Sequence, residues 1–197
     1  MLKFINEKQE NAAPDSINEF LGFSNSSNKK YTLLKNDTIQ FHGKKLYRIQ
    51  ALRNIGKINK DTYGGYVESE KNLSFNDLAW IYDDAIVYQN AIVKDSACVY
   101  ENAIVYGNAI ISDKAIISDQ AQIYGDAIIS GAAEISGNAS IYGNAKVTDS
   151  AKVYGKSSVS SKAVVKDYAE VYGRAWVGGA ALIDSTKKLN NGTHNGN

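Results

Sequence analysis

Between residues 42 and 66 the chain gathers groups that could hold an anion. Lys44, Lys45, Arg48, Arg53, Lys57 and Lys60 supply positive charge, with Tyr47, Tyr63 and Tyr66 among them. Gly64 and Gly65 stand together, and a glycine pair lets backbone amides approach a ligand closely. Cations, aromatic rings and exposed amides suit a phosphate-bearing small molecule or nucleotide. The expected ligand site is therefore Lys44, Lys45, Arg48, Arg53, Tyr63, Gly64, Gly65 and Tyr66. The competing reading is that the segment only caps the open edge of the repeat that begins after it.

Other reactive side chains are few. The two histidines are His42, in a turn, and His194, in an Asn/Gly-rich tail. Three histidines are needed for a carbonic-anhydrase-like zinc site, so no metal or other cofactor is expected. Cys98 is the one cysteine. It has no histidine nearby in sequence to activate it and no partner for a disulfide, which points to a reducing compartment. No phosphate-cradling loop motif occurs. The first residues have no long apolar run, so no signal peptide or membrane span is expected.

The element that must position these groups is a repeat. An aliphatic residue recurs every sixth position from Ile81 to Ile183, and an alanine stands two residues before each, except at Ser157. A six-residue period fits neither an α-helix nor an alternating hairpin sheet. It fits a parallel β-helix of hexapeptides. In Tyr142-Gly143-Asn144-Ala145-Lys146-Val147, Ala145 and Val147 face inward, Lys146 faces out, and Gly143-Asn144 turns the corner. The predicted class is all-β.

The repeat resembles the left-handed β-helix family of hexapeptide-repeat proteins. That resemblance implies triangular coils of three hexapeptides, about six here, and roughly 29 Å of stack at the usual strand spacing. A narrower resemblance is carried by Arg48-Ile49-Gln50-Ala51-Leu52-Arg53, by Gly64-Gly65-Tyr66-Val67-Glu68-Ser69-Glu70-Lys71-Asn72-Leu73-Ser74 and by the Tyr-Gly-Asn-Ala repeats. Together they are similar to phage and prophage proteins of the YdcK-like group, which carry an acyltransferase-type fold. This implies the cytoplasm of a bacterial host as location. The fold's enzymes place a histidine on the coils and interrupt the beat with a loop. This chain does neither, so acyltransferase activity is not expected.

The chain divides into four segments. Residues 1–30 are polar and read as flexible, with a short helix over Ser16 to Phe23. Residues 31–66 form a cap, with a hairpin of Thr38–Phe41 and Leu46–Ile49 around a Gly43 turn. Residues 67–184 are the β-helix, and 185–197 read as a disordered tail.

An 18-residue coil sorts the outward residues into columns. Tyr88, Tyr106, Tyr124 and Tyr142 stack at one corner. Ile92, Ile110 and Ile128 lie on the strand after it, and Ile86 and Ile104 on the strand before. Such an apolar strip is expected to be covered. A homo-oligomer interface is the first reading, a parallel trimer by resemblance or a two-fold dimer. Net charge is +1, with residues 1–78 mildly basic and 79–183 mildly acidic, too little to indicate nucleic acid. The functional expectation is a non-catalytic binding protein that sequesters a ligand or blocks a host partner, with an anti-defence role such as a sponge for a signalling nucleotide. The alternatives are a structural spacer and an acyltransferase.

Overall fold

The computed structural model describes residues 29–196. The expected helix at Ser16 to Phe23 lies outside them.

The repeat folds as a parallel β-solenoid of about seven turns, with three sheets for faces. Each hexapeptide contributes one strand of about two residues, and each strand pairs with the one eighteen residues on, as Ile110 does with Ile128. Backbone bonds run between coils with the same regularity: Ile110 N donates to Ala127 O at 2.9 Å and Ile128 N to Ala145 O at 3.0 Å. No α-helix occurs among the described residues. Residues on both sides of the strict beat also join the stack. Val67 pairs with Val87 and Leu73 with Val93 at one end. Strands Lys188–Leu189 and Thr193–Gly196 add rungs at the other. The segment expected to be a disordered tail is thus paired over its described residues.

The interior explains the period. Alanines and aliphatics of the beat are buried along the stack, and each buried aliphatic side chain is worth about 1.5–3 kcal/mol. The exception also satisfies itself: Ser157, fully buried, donates its hydroxyl to Tyr154 O at 2.8 Å.

Corners need a left-handed residue, and every sixth position from Asp83 to Ser185 has positive φ. Glycine takes many of these, as expected. Asp, Glu, Gln and Ser take the others, where a left-handed backbone costs more. Several of these side chains return a bond to the next coil. Asp83 Oδ2 accepts from Glu101 N at 3.0 Å, Asp113 Oδ2 from Gly131 N at 2.8 Å, and Asp167 Oδ2 from Ser185 N at 2.9 Å.

The cap begins with β1 (Tyr31–Phe41) and β2 (Lys44–Ala51), antiparallel about His42-Gly43. β3 (Tyr63–Val67) pairs antiparallel with β2 and parallel with Ile86–Val87. β3 is therefore the strand that splices hairpin to solenoid. The hairpin then folds over the outer face of its own sheet. Leu46 and Tyr66 pack with Ile86 and Tyr88, and Ile39, Phe41, Ile104 and Tyr106 lie against them.

The cap's other anchor is Lys30, whose ammonium is buried and donates to Ser74 O at 2.7 Å and Asp77 Oδ1 at 3.0 Å. Burial lowers its pKa, against the pull of Asp77.

Candidate functional site

Most of the expected anion site is spent on holding the cap. Arg48 Nε meets Asp37 at 3.0 Å and its Nη2 meets Asp84 at 2.9 Å. The guanidinium lies 4.3 Å from the Tyr66 ring centroid and donates to Gly64 O at 2.9 Å. Two carboxylates already flank it, so it is a clamp between hairpin and first coil. Gly64 and Gly65 correct the sequence reading more sharply. They are buried in β3, and a Cβ there would stand 2.5 Å from Ile81 O and 2.3 Å from Ala85 O. Their small size serves close packing on the first coil. Tyr66 is buried beneath the hairpin, while Tyr63 is 59% exposed. Lys45 lies over the Tyr47 ring, 5.5 Å away, and Arg53 is exposed on the loop after β2.

Lys44 alone of that set lines the cleft at the seam between hairpin and solenoid. The cleft encloses about 630 Å³, and its walls are Lys44, Glu68, Ser69, Lys71, Gln89, Asn90, Gly107 and Asn108. Its floor is tightly bonded. Glu68 accepts from Lys44 Nζ and from Gln89 N, both at 2.9 Å, and Gln89 Oε1 accepts from Gly107 N at 2.9 Å. The Lys44 hydrogen bond, with that of Gln89 N, holds the Glu68 carboxyl below its usual range despite some burial. Glu68 is thus a fixed anion at neutral pH and a poor proton donor. Asn72, buried behind it, accepts from Ser69 N and donates to Gln89 O and Ala91 O. Along one wall Asn90 donates to Asn108 at 3.1 Å, and Asn108 to Asp126 at 2.8 Å. Lys71 is exposed on a short 3-10 turn, Glu70–Asn72. Sequence reasoning missed Lys71, Asn90 and Asn108, because the seam exists only once the cap meets the second coil. The Asn column of the repeat was the one signal that pointed there.

The histidines sit at opposite ends of the stack. His42 stacks on Phe41 with centroids 4.3 Å apart, and its Nδ1 is 3.3 Å from Tyr88 Oη. His194 pairs in register with Val177 on the last rung. Cys98 is half-buried, with Sγ 3.7 Å from Ser96 O. No group of three metal-ligating side chains occurs among the described residues. No helix there is long and apolar enough to cross a membrane.

The expected interface column divides in two. The tyrosines do stack: Tyr88 on Tyr106 at 5.2 Å, Tyr106 on Tyr124 at 4.9 Å, Tyr124 on Tyr142 at 5.0 Å. Ile86 and Tyr88, however, are buried within the chain itself, and Ile104 and Tyr106 lie partly under the hairpin. These four are covered by the cap, which corrects their placement on an open interface. Ile92, Ile110, Ile128, Tyr124 and Tyr142 remain at least partly exposed.

The family description "YdcK Beta solenoid repeat" matches residues 121–137. That stretch is one circuit of the stack, with a strand in each of the three sheets: Gln122–Ile123, Ile128–Ile129 and Glu134–Ile135. Residues 121–137 are therefore similar to the YdcK β-solenoid repeat. No curated protein is significantly similar to the chain. The cap and its seam lie outside the matched stretch.

Proposed function

We propose that this chain is a non-catalytic β-solenoid protein that acts by binding, and that it holds a phosphate-bearing small molecule in the seam cleft. In a phage or mobile element, such a protein would sequester a host signalling nucleotide in the bacterial cytoplasm. The observation that carries this reading is the convergence of Lys44 and Lys71 with the amides of Asn90 and Asn108 on one cleft. The Lys71 ammonium supplies the charge attraction, since Lys44 is already paired with Glu68, and the amides supply donors for phosphate or ribose oxygens. A non-enzymatic role is favoured by the separation of the two histidines and by the ionised state of Glu68. The test is thermal unfolding with cyclic di- and trinucleotides and ADP-ribose derivatives. A bound ligand at a hundred times its Kd stabilises the fold by about 2.7 kcal/mol. The gain should appear with at least one of these compounds and vanish in Lys71→Glu. An identical melt with every compound would remove the reading and leave the spacer role, which the unbroken interior favours. Turnover of acyl-CoA would replace both with an enzyme.

A further inference from the structure

The three outer faces have different fates. The hairpin covers the start of one, and Trp80, fully buried, begins the second. The third face carries the column Ile92, Ile110, Ile128, Lys146, Val164 and Leu182. Nothing within the described chain lies over it. Ile92 is 38% exposed and Leu182 49%. Charge along the stack is also polarised. Residues 79–138 carry eight Asp/Glu against two Lys, whereas residues 139–188 carry eight Lys/Arg against four Asp/Glu.

The geometry points to a second copy of this chain on the third face, with the two solenoids antiparallel. A two-fold axis along the strand direction, between the Ile128 and Lys146 rungs, sets each acidic half against the partner's basic half. It also sets Ile92 against Leu182 and Ile110 against Val164, so apolar side chains meet apolar ones. Ile128 meets Lys146, whose methylene stem can cover it while the ammonium reaches water. On the flank, Lys94, 3.5 Å from Asp95 in its own chain, meets Asp184, and Asp113 meets Asp167 one column on. Asp184 Oδ1 is already paired with Lys187 at 3.0 Å, which leaves its other oxygen for Lys94. A parallel arrangement, the one implied by family resemblance, would set acidic half on acidic half, Lys146 on Lys146, and lose the Lys94–Asp184 pair, while each apolar residue met its own copy. Isologous two-fold contacts of this kind are the commonest in soluble oligomers. Charge pattern decides orientation more strongly than it decides affinity.

The test uses the full chain with Cys98→Ser, to which Lys94→Cys and Asp184→Cys are added together. Within one chain these positions are five rungs apart, roughly 24 Å at the usual strand spacing. A disulfide needs Cα atoms within about 7 Å. A covalent dimer on mild oxidation, absent when either cysteine is introduced alone, is expected. In a second arm, Lys94→Asp should shift the solution mass from two chains towards one, and Lys94→Asp with Asp184→Lys should restore it. A wild-type mass of one or three chains, or a covalent dimer with Lys94→Cys alone, would overturn the antiparallel pairing. Unchanged melting of the variants separates lost association from lost folding.

Discussion

The two ends of the solenoid share one interior and wear different exteriors. On the first rungs of the hairpin's own sheet the outward residues are Ile86, Tyr88, Ile104 and Tyr106, and the hairpin lies over them. On the later rungs of the Cys98 sheet the outward column reads Glu134, Lys152, Glu170, Lys188. There each pair closes with its neighbour: Lys152 meets Glu134 at 2.7 Å and Lys188 meets Glu170 at 2.6 Å. The inward Ala-x-aliphatic pattern is the same under both. Interior periodicity therefore specifies the stack, and the outward residue is free to specify what the stack touches. Where it is apolar, cover is needed. Where it alternates in charge, the face satisfies itself in water.

The contrast is broken most forcefully at Leu46, which is fully buried between hairpin and coil. Leu46→Asp should cost about 3–5 kcal/mol through lost apolar burial and an unpaired buried charge. Chemical denaturation would show it, and Tyr88 would become accessible to solvent. Ile110→Asp, on the uncovered face, should leave the stability of a single chain nearly unchanged. Equal losses at both positions would mean that the hairpin is not a cover.

A smaller effect is expected at Asp77, which ties Lys30 and Asp95 N into the cap. Burial raises its pKa, but hydrogen bonds from Ser74, Lys30 and Asp95 N outweigh that and hold it below its usual value. A carboxyl with a depressed folded pKa stabilises above its unfolded value, about 4, and loses that contribution as pH falls through the folded one. Cap stability should therefore decline in acid. Asp77→Asn should cost about 1–3 kcal/mol near neutrality and flatten that acid slope. Melts from neutral pH into acid would check both. The smallest effect belongs to the charged ladder. Lys152→Ala should change stability by less than about 1 kcal/mol, since both partners are well exposed.

The sequence made the interior legible because one residue type recurs at one spacing, and Ala and Val or Ile have no other way to satisfy a period of six. The corners were half legible. Gly143 announces a left-handed position, but Asp83 and Asp113 do so only once their carboxylates are seen to bond the next coil. The hairpin strands were visible, and where they fold was not. Period-two alternation of Ile39 and Phe41 shows that the hairpin has an apolar face without saying what it meets. That fold-back is why Arg48, Gly64, Gly65 and Tyr66 became cap parts, while Lys44 alone kept its place beside a cleft. Lys71 and Asn108 are thirty-seven positions apart in sequence, and only the splice through β3 brings them together.

Ligand binding at the seam is best tested by native mass spectrometry of the full chain, purified from the organism that makes it and compared with Lys71→Glu. A small-molecule adduct is expected on the wild type, with a mass consistent with a phosphorylated metabolite or nucleotide, and none on the variant. Wild-type protein free of adduct, together with no gain on adding nucleotides, would refute binding in the cleft.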